Sequence, residues 1–232
     1  MNRPSLLEIY HRLFARYGPA GWWPGRTPFE VCLGAILTQN TAWTNVEKAL
    51  SVLRRVGRLS YRGLRGVPAR RIAPLIRSSG TYNVKAERVA AFVSFLGAEY
   101  GGRVRAMSRE EPGELRRKLI AVPGIGPETA DSIVLYAAGL PVFVVDAYTR
   151  RVFARMGYLK GRDSYDDVQA WFMSRLPADA GLYNDYHAQI VRLAKEACRV
   201  RPRCRECPLE DACPKNGVAG PQRTRREQRR KR

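Results

Sequence analysis

Two groups of residues have the types and spacing to do chemistry. The first is the stretch Val122-Pro-Gly-Ile-Gly-Pro-Glu-Thr-Ala130, with Asp146 following in Val144-Val-Asp-Ala-Tyr-Thr-Arg150. Pro123, Gly124, Ile125 and Gly126 read as a tight turn between an amphipathic run, 114–120, and an apolar helix over 127–138. Main-chain N–H groups at such a helix start face outward and suit a phosphate. The apolar run Pro141-Val-Phe-Val-Val145 then delivers one carboxylate, Asp146, to the same side, with Arg150 and Arg151 close behind. The second group is Cys198-x5-Cys204-x2-Cys207-x5-Cys213. Four thiolates so spaced suit a tetrahedral zinc ion or a 4Fe-4S cluster, and spacing alone does not choose. Cys32, inside an apolar run, reads as a small buried hydrophobe.

The elements that must position these groups are helices. Apolar residues recur at three and four, strand signals are nearly absent, and the connections are short and rich in Gly and Pro. Helices are expected over 5–16, 28–37, 42–56, 59–67, 69–78, 83–100, 111–121, 127–138, 147–156, 165–174, 180–198 and 208–212. Asn83 is expected to cap the sixth and to send Val84, Val89, Phe92, Val93 and Leu96 into the core, with Lys85 a surface charge. The pattern predicts an all-α chain, with 218–232 a basic disordered tail.

A length of 232 residues suffices for one sizeable core or two small lobes. The formal net charge is +20, of which residues 223–232 supply +6, so the folded body stays strongly basic and suits a polyanion. No run is long and apolar enough to span a membrane, and no secretory signal is apparent, which predicts a cytoplasmic, nucleoid-associated protein. Four cysteines within sixteen residues do not resemble a disulfide framework. The remaining polar and aromatic signals are Gly21-Trp-Trp-Pro-Gly25, where two adjacent tryptophans cannot both turn inward, and Leu37-Thr-Gln-Asn-Thr-Ala-Trp43. His187 reads as a satisfied structural histidine on the helix leading to Cys198.

The hairpin Pro123-Gly-Ile-Gly126, the run Val145-Asp-Ala-Tyr-Thr-Arg-Arg-Val-Phe153 and the cysteine cluster together resemble the endonuclease III superfamily of helix-hairpin-helix DNA glycosylases, over about Trp22 to Cys213. The resemblance implies a two-lobed helix-hairpin-helix fold, with residues 20–140, including the helix-hairpin-helix over about 111–138, in one lobe and 1–19 with 141–215 in the other. It implies that Asp146 cleaves the glycosidic bond, that the hairpin with Arg150 and Arg151 holds DNA phosphates, and that Gln39 fills the gap left by an extruded base. It implies a 4Fe-4S cluster on Cys198, Cys204, Cys207 and Cys213, in preference to zinc, although the first gap is one residue shorter than in endonuclease III itself. Bifunctional members carry a lysine two residues after the second hairpin glycine; this chain has Glu128 there, and a carboxylate cannot form a Schiff base.

Within the superfamily, the Trp-Trp-Pro and Leu-Thr-Gln-Asn-Thr-x-aromatic segments resemble the endonuclease III-type 3-methyladenine glycosylases. That branch implies a base pocket of Trp22, Trp23, Pro24, Trp43 and Glu128, and an electron-rich pocket suits a cationic alkylated purine. The expected partner is double-stranded DNA bearing a damaged base, bound by a monomer that leaves an abasic site. Three alternatives stay open: a bifunctional lyase on oxidised pyrimidines using another lysine such as Lys118, a mismatch thymine or uracil glycosylase, and a catalytically silent DNA-binding paralogue.

Overall fold

The computed structural model describes residues 3–21 and 25–218. Trp22, Trp23, Pro24 and the basic tail beyond residue 218 lie outside the described residues. All regular structure among the described residues is helical, and none of these helices is long and apolar enough to cross a membrane.

The helices are α1 (Leu6–Tyr17), α2 (Pro28–Leu37), α3 (Trp43–Arg55), α4 (Tyr61–Leu64), α5 (Ala69–Ile72), α6 (Tyr82–Tyr100), α7 (Pro112–Ile120), α8 (Pro127–Ser132), α9 (Ala147–Arg155), α10 (Tyr165–Met173) and α11 (Ala180–Glu196). Their starts follow local chemistry. Ser5 and Glu8 form a capping box on α1, Thr27 accepts from the Glu30 N–H with Pro28 as the first helical residue, and Ser164 and Asp167 repeat the capping box on α10.

Several expectations from the sequence are corrected. The helix predicted over 69–78 divides into α5 and a 3-10 turn, Ala73–Ser79, because Pro74 has no N–H with which to continue the α-helical ladder. The last predicted helix, 208–212, is a run of turns held by bonds three residues apart, such as Glu210 N to the Cys207 oxygen and Ala212 N to the Leu209 oxygen. α6 begins one residue before Asn83; Thr81, with φ of 28°, occupies the cap position without a side-chain bond. This start fixes the faces differently from the expectation. Val84 is 47% exposed, while Lys85 is 1% exposed and donates from Nζ to the main-chain oxygens of Leu37 at 2.8 Å and Ser79 at 2.6 Å. Those oxygens end α2 and the 3-10 turn, so the ammonium satisfies carbonyls that helix ends leave unpaired. Burial, and to a lesser degree the neighbouring Arg88, lower the Lys85 pKa.

Buried apolar side chains gather in two clusters. One runs from Phe29 in α2 through α3, α6 and α7 to Val134 and Val142; the other joins α1, the strip Phe143–Val145, α9, α10 and α11, with Phe143 stacked on Phe172 at 4.1 Å between ring centroids. Asp131 on α8 is fully buried between them. It accepts from Arg116 Nε on α7 at 2.8 Å and from Gln169 Nε2 on α10 at 2.7 Å. Beyond Ser132 the chain widens into a π turn, Ile133–Ala137, where the Ala138 N–H reaches the Ile133 oxygen. This turn departs from the regular helix expected to Ala138, and it carries Leu135 into the second cluster.

Candidate active site and cysteine cluster

A cavity of about 360 Å³ lies where the two clusters meet, and its walls include Trp43, Glu128, Asp146, Tyr148, His187 and Lys195. A space of this size suits one small planar ligand held by a few polar groups. Each element brings its side chain there for a local reason. Asp146 is the N-cap of α9: its Oδ1 accepts from the Thr149 N–H at 2.7 Å and from Thr149 Oγ1 at 2.9 Å, which leaves Oδ2 turned away from the helix. Oδ2 stands 3.5 Å from His187 Nε2. The His187 Nδ1 is 2.6 Å from the Tyr136 hydroxyl.

The two acids in the cavity are pushed apart electrostatically. Burial raises the Glu128 carboxyl, and the charge of Asp146 raises it further against an opposing effect of His187. Burial would also raise Asp146, but His187 and the bonds from Thr149 more than offset it, and the carboxyl ends below its ordinary value. Asp146 therefore ionises first, and over an intermediate pH range Glu128 is a neutral acid beside an anion.

The hairpin sits beside this cavity. Gly124 has φ of +82°, and a Cβ there would run into the Arg88 side chain, so the residue must be glycine on both counts. Ile125 is buried, Gly126 caps α8, and Pro123 and Gly126 line a wider groove of about 720 Å³ with Arg88 and Asn40. Gln39 joins the two spaces. Its Nε2 donates to the Gly124 oxygen at 3.1 Å and to Thr129 Oγ1 at 2.9 Å, and its Oε1 accepts from Arg88 Nη1.

Arg150 and Arg151, expected at phosphates, also bond to main-chain oxygens of the protein. Arg150 Nη1 donates to the Asp163 oxygen at 2.9 Å; Arg151 donates to the oxygens of Cys198 and Ala194 at 2.9 and 3.0 Å and lies over the Tyr148 ring. Arg150 thereby ties α9 to the loop before α10 and Arg151 ties it to the end of α11, while Arg88 lines the groove beside the hairpin. Lys118 pairs with Glu110 at 2.9 Å and is not among the residues lining the cavity. The lysine that does line it is Lys195.

Sequence reasoning did not place His187, Tyr136, Tyr148 or Lys195 at the site. A signal existed for two of them: His187, Val191 and Lys195 recur at four-residue steps on α11, so they share one face, and all three line the cavity. No such signal marks Tyr136, whose direction depends on the π turn.

Cys198, Cys204, Cys207 and Cys213 are all free thiols and line one small cavity of about 30 Å³ with Arg155 and Pro202. Arg155 Nη1 lies 3.4 Å from Cys198 Sγ. Burial, then the other three thiols, push Cys207 up to about 11. Thiolates that raise one another in this way need a cationic group to be held together. No three His, Cys, Asp or Glu side chains among the described residues stand ready to hold a metal ion, so the fit rests on the shared cavity and the donor chemistry. Cys32 is fully buried in α2, as expected.

The helical fold thus sets a glycine hairpin beside a carboxylate-bearing cavity, and comparison with known proteins gives the class. The chain belongs to the HhH-GPD superfamily of base excision DNA repair proteins, whose family model matches residues 33–178. It is 40% identical to a Methanocaldococcus jannaschii protein provisionally named a DNA repair glycosylase, over 90% of this chain and 95% of that one. Its fold matches a trapped covalent endonuclease III–DNA intermediate with a TM-score of 0.77 and 25% identity, covering 99% of this chain and 100% of the other. It also matches an H. pylori 3-methyladenine DNA glycosylase bound to 1,N6-ethenoadenine, with a TM-score of 0.70 and 27% identity, covering 83% and 98% of the two chains.

Proposed function

We propose that this protein is a DNA N-glycosylase that extrudes a damaged base into the cavity, hydrolyses its glycosidic bond and leaves an abasic site in an intact strand. The favoured substrate is an alkylated purine such as 3-methyladenine. The observation that carries the reading is the position of Asp146, fixed by Thr149 through one oxygen with the other directed to a cavity lined by Trp43 and Tyr148. Chemistry on a base in a duplex requires that the base leave the stack, and an aromatic-walled cavity of this size receives it. As the bond to the base breaks, positive charge develops on the sugar, and a fixed carboxylate in a water-poor site stabilises it. A cationic base is already a good leaving group, which suits a site whose nearest acid, Glu128, is a second carboxyl rather than an amine. The H. pylori relative named for 3-methyladenine supports this substrate class.

In this reading the hairpin holds phosphates and Gln39 enters the gap left by the base. The four thiolates would hold a 4Fe-4S cluster, which, when bound, would supply a cross-link for the loop 198–213. Iron and acid-labile sulfide analysis of the purified protein tests this against zinc.

The decisive experiment incubates the protein with duplexes carrying 3-methyladenine, 7-methylguanine, thymine glycol or uracil, each scored with and without alkali. Release of alkylated bases, with strand breaks only after alkali, is expected. Breakage at thymine glycol without alkali would overturn both the mechanism and the substrate. A second reading, a bifunctional lyase, is favoured by one observation: Lys195 brings an amine to the cavity wall. Borohydride trapping of the protein on abasic DNA, lost in Lys195→Ala, would establish it.

A further inference from the structure

The imidazole of His187 is 5% exposed, and its Nε2 has no hydrogen-bond partner, with Asp146 Oδ2 at 3.5 Å, beyond good hydrogen-bond length. Its other nitrogen is held at 2.6 Å by Tyr136. A buried polar group is ordinarily satisfied, so an imidazole held at one nitrogen and directed at a carboxylate by the other needs an explanation. The backbone also departs from regularity to make this contact. Tyr136 lies within the π turn Ile133–Ala137, and such single widened turns change the direction of the side chains they carry and gather at functional sites.

We propose that Tyr136 and His187 are positioning residues for Asp146, holding the direction of its free oxygen, Oδ2, toward the extruded nucleotide. The proposal rests on the glycosylase reading only for the identity of that nucleotide. The carboxylate beside Nε2 assigns the ring proton to that nitrogen, so Nδ1 accepts from the Tyr136 hydroxyl. Thr149 fixes Oδ1 by two hydrogen bonds, and the imidazole held by Tyr136 stands 3.5 Å from Oδ2, which limits rotation of the carboxylate as the sugar becomes positive. This is the support that a charge-stabilising group requires from its surroundings. It also agrees with the lowered pKa of Asp146, in which His187 is the largest influence favouring the carboxylate over the effect of burial. The other charged or titratable groups facing the pair are Glu128 from α8, Tyr148 from α9 and Lys195 from α11 itself.

The test follows Asp146 in the full-length holoprotein in two ways: its carboxyl 13C titration, and the pH profile of kcat/KM for base release from methylated duplex. In His187→Leu both acid-side midpoints are expected to move upward, with about tenfold loss of kcat/KM on the acid side for each pH unit moved. His187→Gln, which keeps a donor near the same place, is expected to restore part of the shift. Tyr136→Phe is expected to move the midpoints in the same direction by less. Folded His187→Leu and Tyr136→Phe proteins with wild-type midpoints would overturn the proposal, whatever their activity. Should His187→Leu not fold, Tyr136→Phe decides alone. Should wild type release no base, the glycosylase reading fails, while the carboxyl titration still tests the pair.

Discussion

The side-chain amide of Gln39 donates to the main-chain oxygen of Gly124 across 3.1 Å, so the residue expected to fill a DNA gap is docked on the hairpin expected to hold the DNA backbone. Thr129 and Arg88 complete its surroundings. In the proposed reading gap filling and backbone clamping are one unit, because Gln39 would have to release the Gly124 oxygen and the Arg88 guanidinium before entering a duplex.

Replacing Gln39 by Ala removes the proposed gap-filling group and trims one edge of the cavity while leaving Asp146, Glu128 and Trp43 in place. Base release from a duplex lesion is expected to fall about tenfold or more, because unstacking a base costs a few kcal/mol that the inserted side chain offsets. Release from a single-stranded oligonucleotide carrying the same lesion needs no gap filler and is expected to stay within about twofold. Parallel kcat/KM measurements on the two substrates check this; equal losses would place Gln39 in the cavity chemistry instead.

Asp146→Asn keeps an oxygen that can accept from the Thr149 N–H, so the α9 cap and the fold survive. What disappears is the negative charge. Base release is expected to drop by at least about 100-fold, the usual scale for losing one preorganised charge-stabilising group. Affinity for lesion-bearing duplex, measured by fluorescence anisotropy, is expected to hold or tighten slightly as the protein loses a carboxylate near phosphates. Retained base release would remove Asp146 from the chemistry, and Glu128, the other carboxyl on the cavity wall, would be the next variant.

The legible and illegible parts of the site divide by physical scale. The hairpin and the Asp146 cap are set by residues within a few positions of one another, so glycines, prolines and a capping carboxylate announce them in the chain. His187 meets Asp146 from a separate helix, and Tyr136 meets His187 through a π turn whose extra residue leaves no pattern in the residue types. Lys85 shows the same limit from the other side. A lysine in a helical run reads as a surface charge, and only the arrival of the α2 and 3-10 ends at one point gives its ammonium two carbonyls to hold. Arg150 and Arg151 follow Asp146 as phosphate ligands would, and nothing in the chain announces that Arg151 also donates to two carbonyls near the end of α11.

Lys85→Met is accordingly predicted to act on stability before function. Methionine fills much of the same volume but leaves the Leu37 and Ser79 oxygens buried without a donor, at about 1–3 kcal/mol each, so a loss of about 2–4 kcal/mol is expected after relaxation. Denaturant unfolding should show a lower midpoint with an unchanged slope. Because the Leu37 oxygen is two residues from Gln39, the variant should also release base more slowly from duplex than from single strands.

Glu128 occupies the position at which a hairpin amine would make a lyase, and its environment makes the substitution informative twice. Its folded pKa is raised by burial and by Asp146, so the stability it contributes is present in acid and is lost as pH rises through that raised value. Glu128→Gln removes the penalty, and the Tm difference in favour of the variant should grow from acid to neutral pH. Glu128→Lys goes further: it replaces a like charge beside Asp146 with an opposite one and places a primary amine at the cavity wall. The amine can add to the C1′ aldehyde of an abasic site, lose water to give the imine, and allow β-elimination of the 3′ phosphate. Strand cleavage without alkali and a borohydride-trapped complex are expected from Glu128→Lys and not from Glu128→Gln. Trapping of both the wild type and the Gln variant, lost in Lys195→Ala, would instead assign the amine to Lys195 on the cavity wall, and the monofunctional reading would give way to the bifunctional one.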